Sequence, residues 1–312
     1  MIARITILIV SFLVGTVLYG QKKVAEEITL KNGDITLPGT LTYNASLNKT
    51  PLVIFVPGSG NPDRDGNQLA FNVKANYIKQ LADSLANRDI AIFRYDKRQA
   101  TKSNIPIMLK GMKFNALAED VKSILKNFEN DKRFNNIILI GHSQGSLVSM
   151  LSITNAVDKF VSLAGLGTTV ENAIVRQITQ QNEMLGKTAA EHFATLKRQD
   201  TIEAVNPMLM SIFAPQNQAI LKDYNRYNPS VLIKSITIPT MIINGDADIQ
   251  VRVEDAELLH KAKPDAELVI VEQMNHVLKT VTNPEDNQKS YYSPDFPIST
   301  KLINVLEKFI KK

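Results

Sequence analysis

The 312-residue chain contains no cysteine. A disulfide, a thiolate nucleophile, a cysteine-held metal and a lipid-bearing cysteine are therefore all excluded. A chain of this length can be held by its apolar core alone, so the absence is compatible with export. Also missing are any run of lysine and arginine and any stripe of arginine alternating with aromatics, although the formal charge is +5. That excess reads as a mildly basic solvated surface, and nucleic acid is not expected as a partner. No internal repeat is visible. With 44% hydrophobic and 21% charged residues, the composition is that of an ordinary globular protein without long disorder.

Residues 1–20 read as a targeting segment. Arg4 supplies a positive start, an uncharged stretch runs from Ile5 to Tyr19, and Gln21-Lys22-Lys23 closes it. The apolar stretch is short for a membrane span and fits a secretory signal peptide cleaved after Gly20, although Leu18 is not the small residue expected there. The alternative is an uncleaved anchor, the one case in which a membrane would be a partner. Either way the rest of the chain is expected outside the cytoplasm, periplasmic or secreted.

Beyond it, strand-like alternation from 26 to 43 surrounds Asn32-Gly33, a two-residue hairpin turn. Short apolar strands then alternate with helical patterns: Leu52-Val53-Ile54-Phe55-Val56, a helix ending near Asn87, Ile90-Ala91-Ile92-Phe93, and a helix over 116–128. Ile137-Ile138-Leu139-Ile140 and Phe160-Val161-Ser162-Leu163 follow, and later Thr240-Met241-Ile242-Ile243 and Glu267-Leu268-Val269-Ile270-Val271. This rhythm predicts βαβ units, a mostly parallel sheet with helices on both faces, and an antiparallel hairpin at one edge. It breaks over 167–234, where helical periodicity continues without a strand. We read this as a helical lid inserted between the two parts of the core, 21–166 and 235–312. Its methionines and Phe213 are expected mainly in the lid core, some facing the pocket.

The stretch Gly141-His142-Ser143-Gln144-Gly145 joins a strand to a helical segment. Gly-x-Ser-x-Gly in that setting is the nucleophile elbow of the α/β-hydrolase fold, which exposes a serine oxygen at the end of a rigid strand. A serine hydroxyl needs a base to take its proton, and only four histidines are present. His142 should point away from Ser143, His192 is in the lid, and His260 falls near the end of a helix. His276, just after the last strand, satisfies the order nucleophile, acid, base. The acid should follow the preceding strand, where Asp246 and Asp248 both stand. Asp248 is preferred because the loop must turn back over the sheet edge, leaving Asp246 to cap it. Oxyanion donors are expected from the backbone N–H groups of Gln144 and of Ser59, in the Gly58-Ser59-Gly60 turn.

With these residues in hand, the chain from about Leu52 onward resembles the bacterial α/β-hydrolases, within them the lidded serine esterases often labelled serine aminopeptidase-like. The likeness lies in Pro57-Gly58-Ser59-Gly60 with Asp63-Arg64-Asp65-Gly66, Arg94-Tyr95-Asp96-Lys97-Arg98, the elbow, Gly245 with Asp248-Ile249-Gln250-Val251, and Asn275-His276-Val277-Leu278-Lys279. Relatives continue the second block as Gly-x-Gly-Lys-Ser, whereas this chain has Gln99-Ala100-Thr101-Lys102-Ser103, which puts the shape of that loop in question. The resemblance implies hydrolysis of short acyl esters, a small-molecule ester substrate, and no metal or organic cofactor. A thioesterase, a peptidase, or a non-catalytic binding protein of the same fold are the competing readings. Arg64 is expected to pin the oxyanion loop through charge pairs, the alternative being that it meets a substrate carboxylate.

Overall fold

The computed structural model describes residues 23–69 and 72–312; the expected export segment, 1–20, lies outside the described residues. Eight strands form one sheet: β1 (Lys23–Asn32), β2 (Ile35–Asn44), β3 (Thr50–Val56), β4 (Ala91–Tyr95), β5 (Phe134–His142), β6 (Lys159–Leu163), β7 (Thr240–Gly245) and β8 (Glu267–Val271). Their order is β1-β2-β4-β3-β5-β6-β7-β8. β1 and β2 pair antiparallel around Asn32 and Ile35, and β2 meets β4 antiparallel. All other pairs are parallel. Gly33 takes φ +57, the left-handed conformation that a tight hairpin of this kind requires. This is the α/β-hydrolase architecture.

The apolar runs are continuous because both faces of the sheet are covered. Along β5, Ile137 and Leu139 enter one core cluster while Ile138 and Ile140 enter the other. β3 divides in the same way, Leu52 and Ile54 on one side and Val53 and Phe55 on the other. The first face is closed by the Asn115–Phe128 helix through Val121, Ile124, Leu125 and Phe128. The second is closed by Tyr77–Ala86 and Thr300–Lys311, through Leu81, Leu85, Leu302 and Leu306.

Between β6 and β7 the described chain forms helices only, chiefly Val170–Gln181, Glu183–Arg198 and Pro215–Tyr224. Phe213 is fully buried against Phe193 and His192. The methionines depart from the expectation of a lid core: Met184 and Met208 are 72% and 71% exposed. Branched and aromatic side chains fill that interior instead. The segment is fastened to the core by Asp223, which accepts from the Phe114 N–H at 2.8 Å, and by Tyr224 stacked on Phe114. Asp255 adds a fully buried carboxylate that accepts from Gly167 N–H and from Arg176.

The loop after β4, whose glycine-poor sequence left its shape open, is held by side chains. Arg98 Nε and Nη2 donate to the two oxygens of Asp120, each at 2.6 Å, and Asn104 bridges Thr36 and the Arg98 carbonyl. Asp120 is 2% exposed and also receives Asn32 Nδ2. Removing one member of a buried pair strands the other in a poorly solvating interior. Arg98→Met should therefore lower unfolding free energy by about 3–5 kcal/mol in urea titration. Lys122→Met, which breaks an exposed pair with Glu119, should cost no more than about 1 kcal/mol.

Candidate active site

The sheet order reverses at β3: β4 lies on one side of it and β5 on the other. In open α/β sheets the loops diverge at such a point, and a crevice opens beyond the carboxyl ends of the strands. The loop after β3 carries Gly58 and Ser59, and the turn after β5 carries Ser143. Both line one cavity of about 370 Å³, together with His142, Gln144 and His276.

Ser143 adopts φ +54 and ψ −122, a backbone conformation that a side chain makes costly, on the order of 1–3 kcal/mol. Its N–H donates to the Leu163 carbonyl at 2.9 Å, which holds the turn against β6. A Cβ on Gly145 would stand 2.7 Å from the Pro57 carbonyl oxygen, and one on Gly58 would stand 3.1 Å from Ser143 Cβ. Only hydrogen at Gly145 lets the two loops close on each other, and a side chain at Gly58 would press Ser143 aside. Among the described residues, neither the Ser59 N–H nor the Gln144 N–H donates to a protein acceptor, and Gln144 opens the Gln144–Met150 helix. Both amides are thus free to receive an anion, and the helix start adds its partial positive charge.

Asp248 and His276 are in direct contact: His276 Nδ1 lies 2.7 Å from Asp248 Oδ2. The other carboxylate oxygen accepts from Gln250 N–H at 2.8 Å and Val251 N–H at 2.9 Å, which fixes the side chain. A carboxylate can only accept, so Nδ1 carries the proton and Nε2 presents its lone pair. Asp246 does not reach the imidazole; it accepts from Gln273 N–H and ties the loops after β7 and β8. Among the described residues no hydrogen bond joins the Ser143 hydroxyl to His276, although both face the cavity. Such contacts are often long in a free enzyme and shorten when substrate fills the site.

His142, expected to turn away from the serine, lines the same cavity and braces His276. Its Nε2 lies 2.8 Å from the His276 carbonyl and its Nδ1 3.3 Å from the Tyr77 hydroxyl. A carbonyl accepts, so Nε2 bears the hydrogen and Tyr77 donates to Nδ1. Burial, with the nearby His276 ring adding to it, pushes His142 down to about 3, so it stays neutral. The histidine that elimination set aside thus positions the backbone of the one it selected; no short sequence signal marks that contact. His192 accepts from Asn206 N–H within the helical segment, and His260 sits near the end of the Val253–Ala262 helix.

Arg64 is not among the cavity residues. Its Nε and Nη2 donate to Asp96 at 3.1 and 2.9 Å, and Nη1 meets Glu27 and Thr40. Asp96 and Glu27 raise its pKa further, and the contacts together anchor the loop after β3 to β1, to β2 through Thr40, and to the end of β4. The cavity wall contributed by the helical segment is Val170, Ala173, Ile174, Gln177 and Tyr224, not the methionines.

A sequence model of the family described as serine aminopeptidase, S33, matches residues 71–280. Esterase EstD of Thermotoga maritima is 24% identical over 253 residues, 78% of this chain and 59% of that one. The chain thus spans somewhat over half the length of that relative. Among solved structures, Est1E from Butyrivibrio proteoclasticus superposes with a TM-score of 0.59 at 14% identity, covering 92% of this chain and 99% of its own. An esterase of Pyrococcus furiosus, PF2001, gives 0.58 at 18% identity, covering 93% and 91%. At these identities the structural likeness speaks for the fold.

The state of His142 can be tested directly. Its ring ¹⁵N shifts should remain those of a neutral Nε2–H tautomer from pH 8 down to pH 5 in an NMR titration. Because its folded pKa lies below the unfolded value near 6.5, the unfolded chain takes up a proton first as pH falls. This residue's share of stability is full above about pH 6.5 and declines from there toward pH 3.

Proposed function

The chain belongs to the serine aminopeptidase, S33, family of hydrolases, and from that premise we propose that it cleaves small carboxylic esters through an acyl-enzyme on Ser143. His276 Nε2 takes the hydroxyl proton as Ser143 Oγ bonds to the ester carbonyl carbon. The carbonyl electron pair moves onto oxygen, where the Ser59 and Gln144 amides receive it. Asp248 stabilises the imidazolium and keeps the ring oriented. The tetrahedral adduct collapses, the imidazolium proton passes to the departing alkoxide, and an alcohol leaves. Water then attacks the acyl-serine by the same route and gives its proton to His276. Collapse of the second adduct returns that proton to Ser143 and releases the acid. The observation that carries this reading is the Asp248–His276 pair, 2.7 Å apart, which holds the His276 ring at the cavity that Ser143 faces from a strained turn.

The family label also raises peptide substrates. An aminopeptidase must hold a free α-ammonium, which calls for a carboxylate or an array of carbonyls at the site. Among the described residues that line this cavity, none is Asp, Glu, Lys or Arg. The walls are Leu166, Val170, Ile174, Val251 and Val277, with Gln68, Gln177, Gln250, Tyr224 and Tyr291 as neutral polar groups. Such a lining favours an uncharged acyl group, and the volume lies at the small end of ligand cavities. A thioester would meet the same groups and is ranked with esters by rate alone.

Three measurements test the reading. Ser143→Ala should abolish labelling by a fluorophosphonate probe, and Asp248→Asn should lower kcat by about 10⁴-fold by leaving the wrong imidazole tautomer, while Asp246→Asn remains active. Labelling that persists in Ser143→Ala sinks the assignment. On a substrate panel, p-nitrophenyl acetate and butyrate should exceed alanyl and prolyl p-nitroanilides in kcat/KM by more than about 100-fold, the discrimination expected when a buried charge finds no partner.

A further inference from the structure

Lys97, in the loop after β4, is 4% exposed, and among the described residues no carboxylate pairs with it. Its Nζ donates to the Gly58 carbonyl at 2.8 Å and to Gln144 Oε1 at 3.1 Å. Burying an ammonium on two neutral acceptors is costly, so the position calls for a reason beyond packing. Asp120 is the nearby opposite charge, and its oxygens are engaged by Arg98. Desolvation accordingly pulls Lys97 down to about 7.

Both acceptors belong to the residues that frame the oxyanion site. In a trans peptide the carbonyl of one residue and the N–H of the next point in opposite directions, and the described chain contains no cis bond. A lysine that draws the Gly58 oxygen toward itself therefore turns the Ser59 N–H the other way. The same ammonium grips the side chain of Gln144, whose backbone N–H is the second donor. Lys97 itself is not a cavity residue.

We propose that Lys97 is a positioning residue for the oxyanion site: it orients and polarises the Gly58–Ser59 peptide and steadies Gln144, so that both amides face the charge that develops on the substrate. The inference rests on the esterase reading, because it assumes an oxyanion formed by Ser143. A hydrogen bond from a cation to the peptide oxygen makes the adjoining N–H a stronger donor. The lysine thus acts in the transition state without touching substrate.

The experiment compares Lys97→Met, Lys97→Gln and the parent enzyme on p-nitrophenyl acetate, with a trifluoromethyl ketone as the oxyanion-forming inhibitor. Loss of a whole oxyanion donor costs about 10²–10³ in turnover, so loss of its alignment should cost roughly 10- to 100-fold in kcat for Lys97→Met, with KM within about threefold. Lys97→Gln, which keeps a donor, should fall between it and the parent. Affinity for the ketone should drop by the same factor as kcat/KM across the series, a correlation that mere loosening of the fold would not produce. Should Lys97→Met fail to give a cooperative unfolding transition, Lys97→Gln carries the comparison. A folded variant with parental kcat, or one whose kcat falls while ketone affinity holds, overturns the proposal. Ser143→Ala is assayed alongside: if it keeps parental activity the esterase reading fails, an outcome separable from any result at Lys97.

Discussion

The parallel pairing of β3 with β5, which sets Val56 opposite Gly141, is the contact on which the cavity depends. These strands are distant in sequence, yet their carboxyl ends lie side by side, so the turn after one closes on the turn after the other. The approach is tight enough that Gly58 and Gly145 cannot carry a side chain without displacing backbone or Ser143. The strained conformation of Ser143 persists because the pairing leaves the turn no relaxed alternative. Strain, glycines and free amides are three faces of one packing constraint.

Around that contact the charged groups work as fasteners. Arg64 binds Asp96 and Glu27, Arg98 binds Asp120, and Asp255 joins Arg176 to the start of the helical segment. Each ties a loop at the carboxyl edge to something more rigid beneath it. The described residues that line the cavity carry no Asp, Glu, Lys or Arg, and its apolar walls strengthen whatever dipoles point into it. The charges stand behind the loops, and the Ser59 and Gln144 amides stand in front, toward the cavity.

Much of this architecture was legible in the chain because it is local. Short apolar runs alternating with helical patterns announced the strands, and Asn32-Gly33 announced the hairpin. The motif over 141–145 was recognisable because the turn demands small residues at fixed offsets. Asp246 and Asp248 differ by two positions in one loop, and their separation into a loop tie and an imidazole partner follows from which way that loop bends. Contacts through space were not legible. Nothing near Lys97 in sequence says that its ammonium ends beneath Gly58, nor does anything near His142 indicate the carbonyl of residue 276. The methionines misled for a related reason: apolar residues in a helical segment suggest burial, but the space was taken by Phe213, Phe193 and Tyr224.

The bond from His142 to the His276 carbonyl has a mechanical consequence. It spans from the residue beside Ser143 to the main chain of His276, bypassing β6 and β7 altogether. The elbow and the loop after β8 are thereby tied directly to each other, with Tyr77 bracing His142 from the adjoining helix. A disturbance of the distant loop that holds residues 276–279, which the buried Lys279 secures to the carbonyls of Ser290 and Ser293, would be transmitted to the elbow without passing through the sheet.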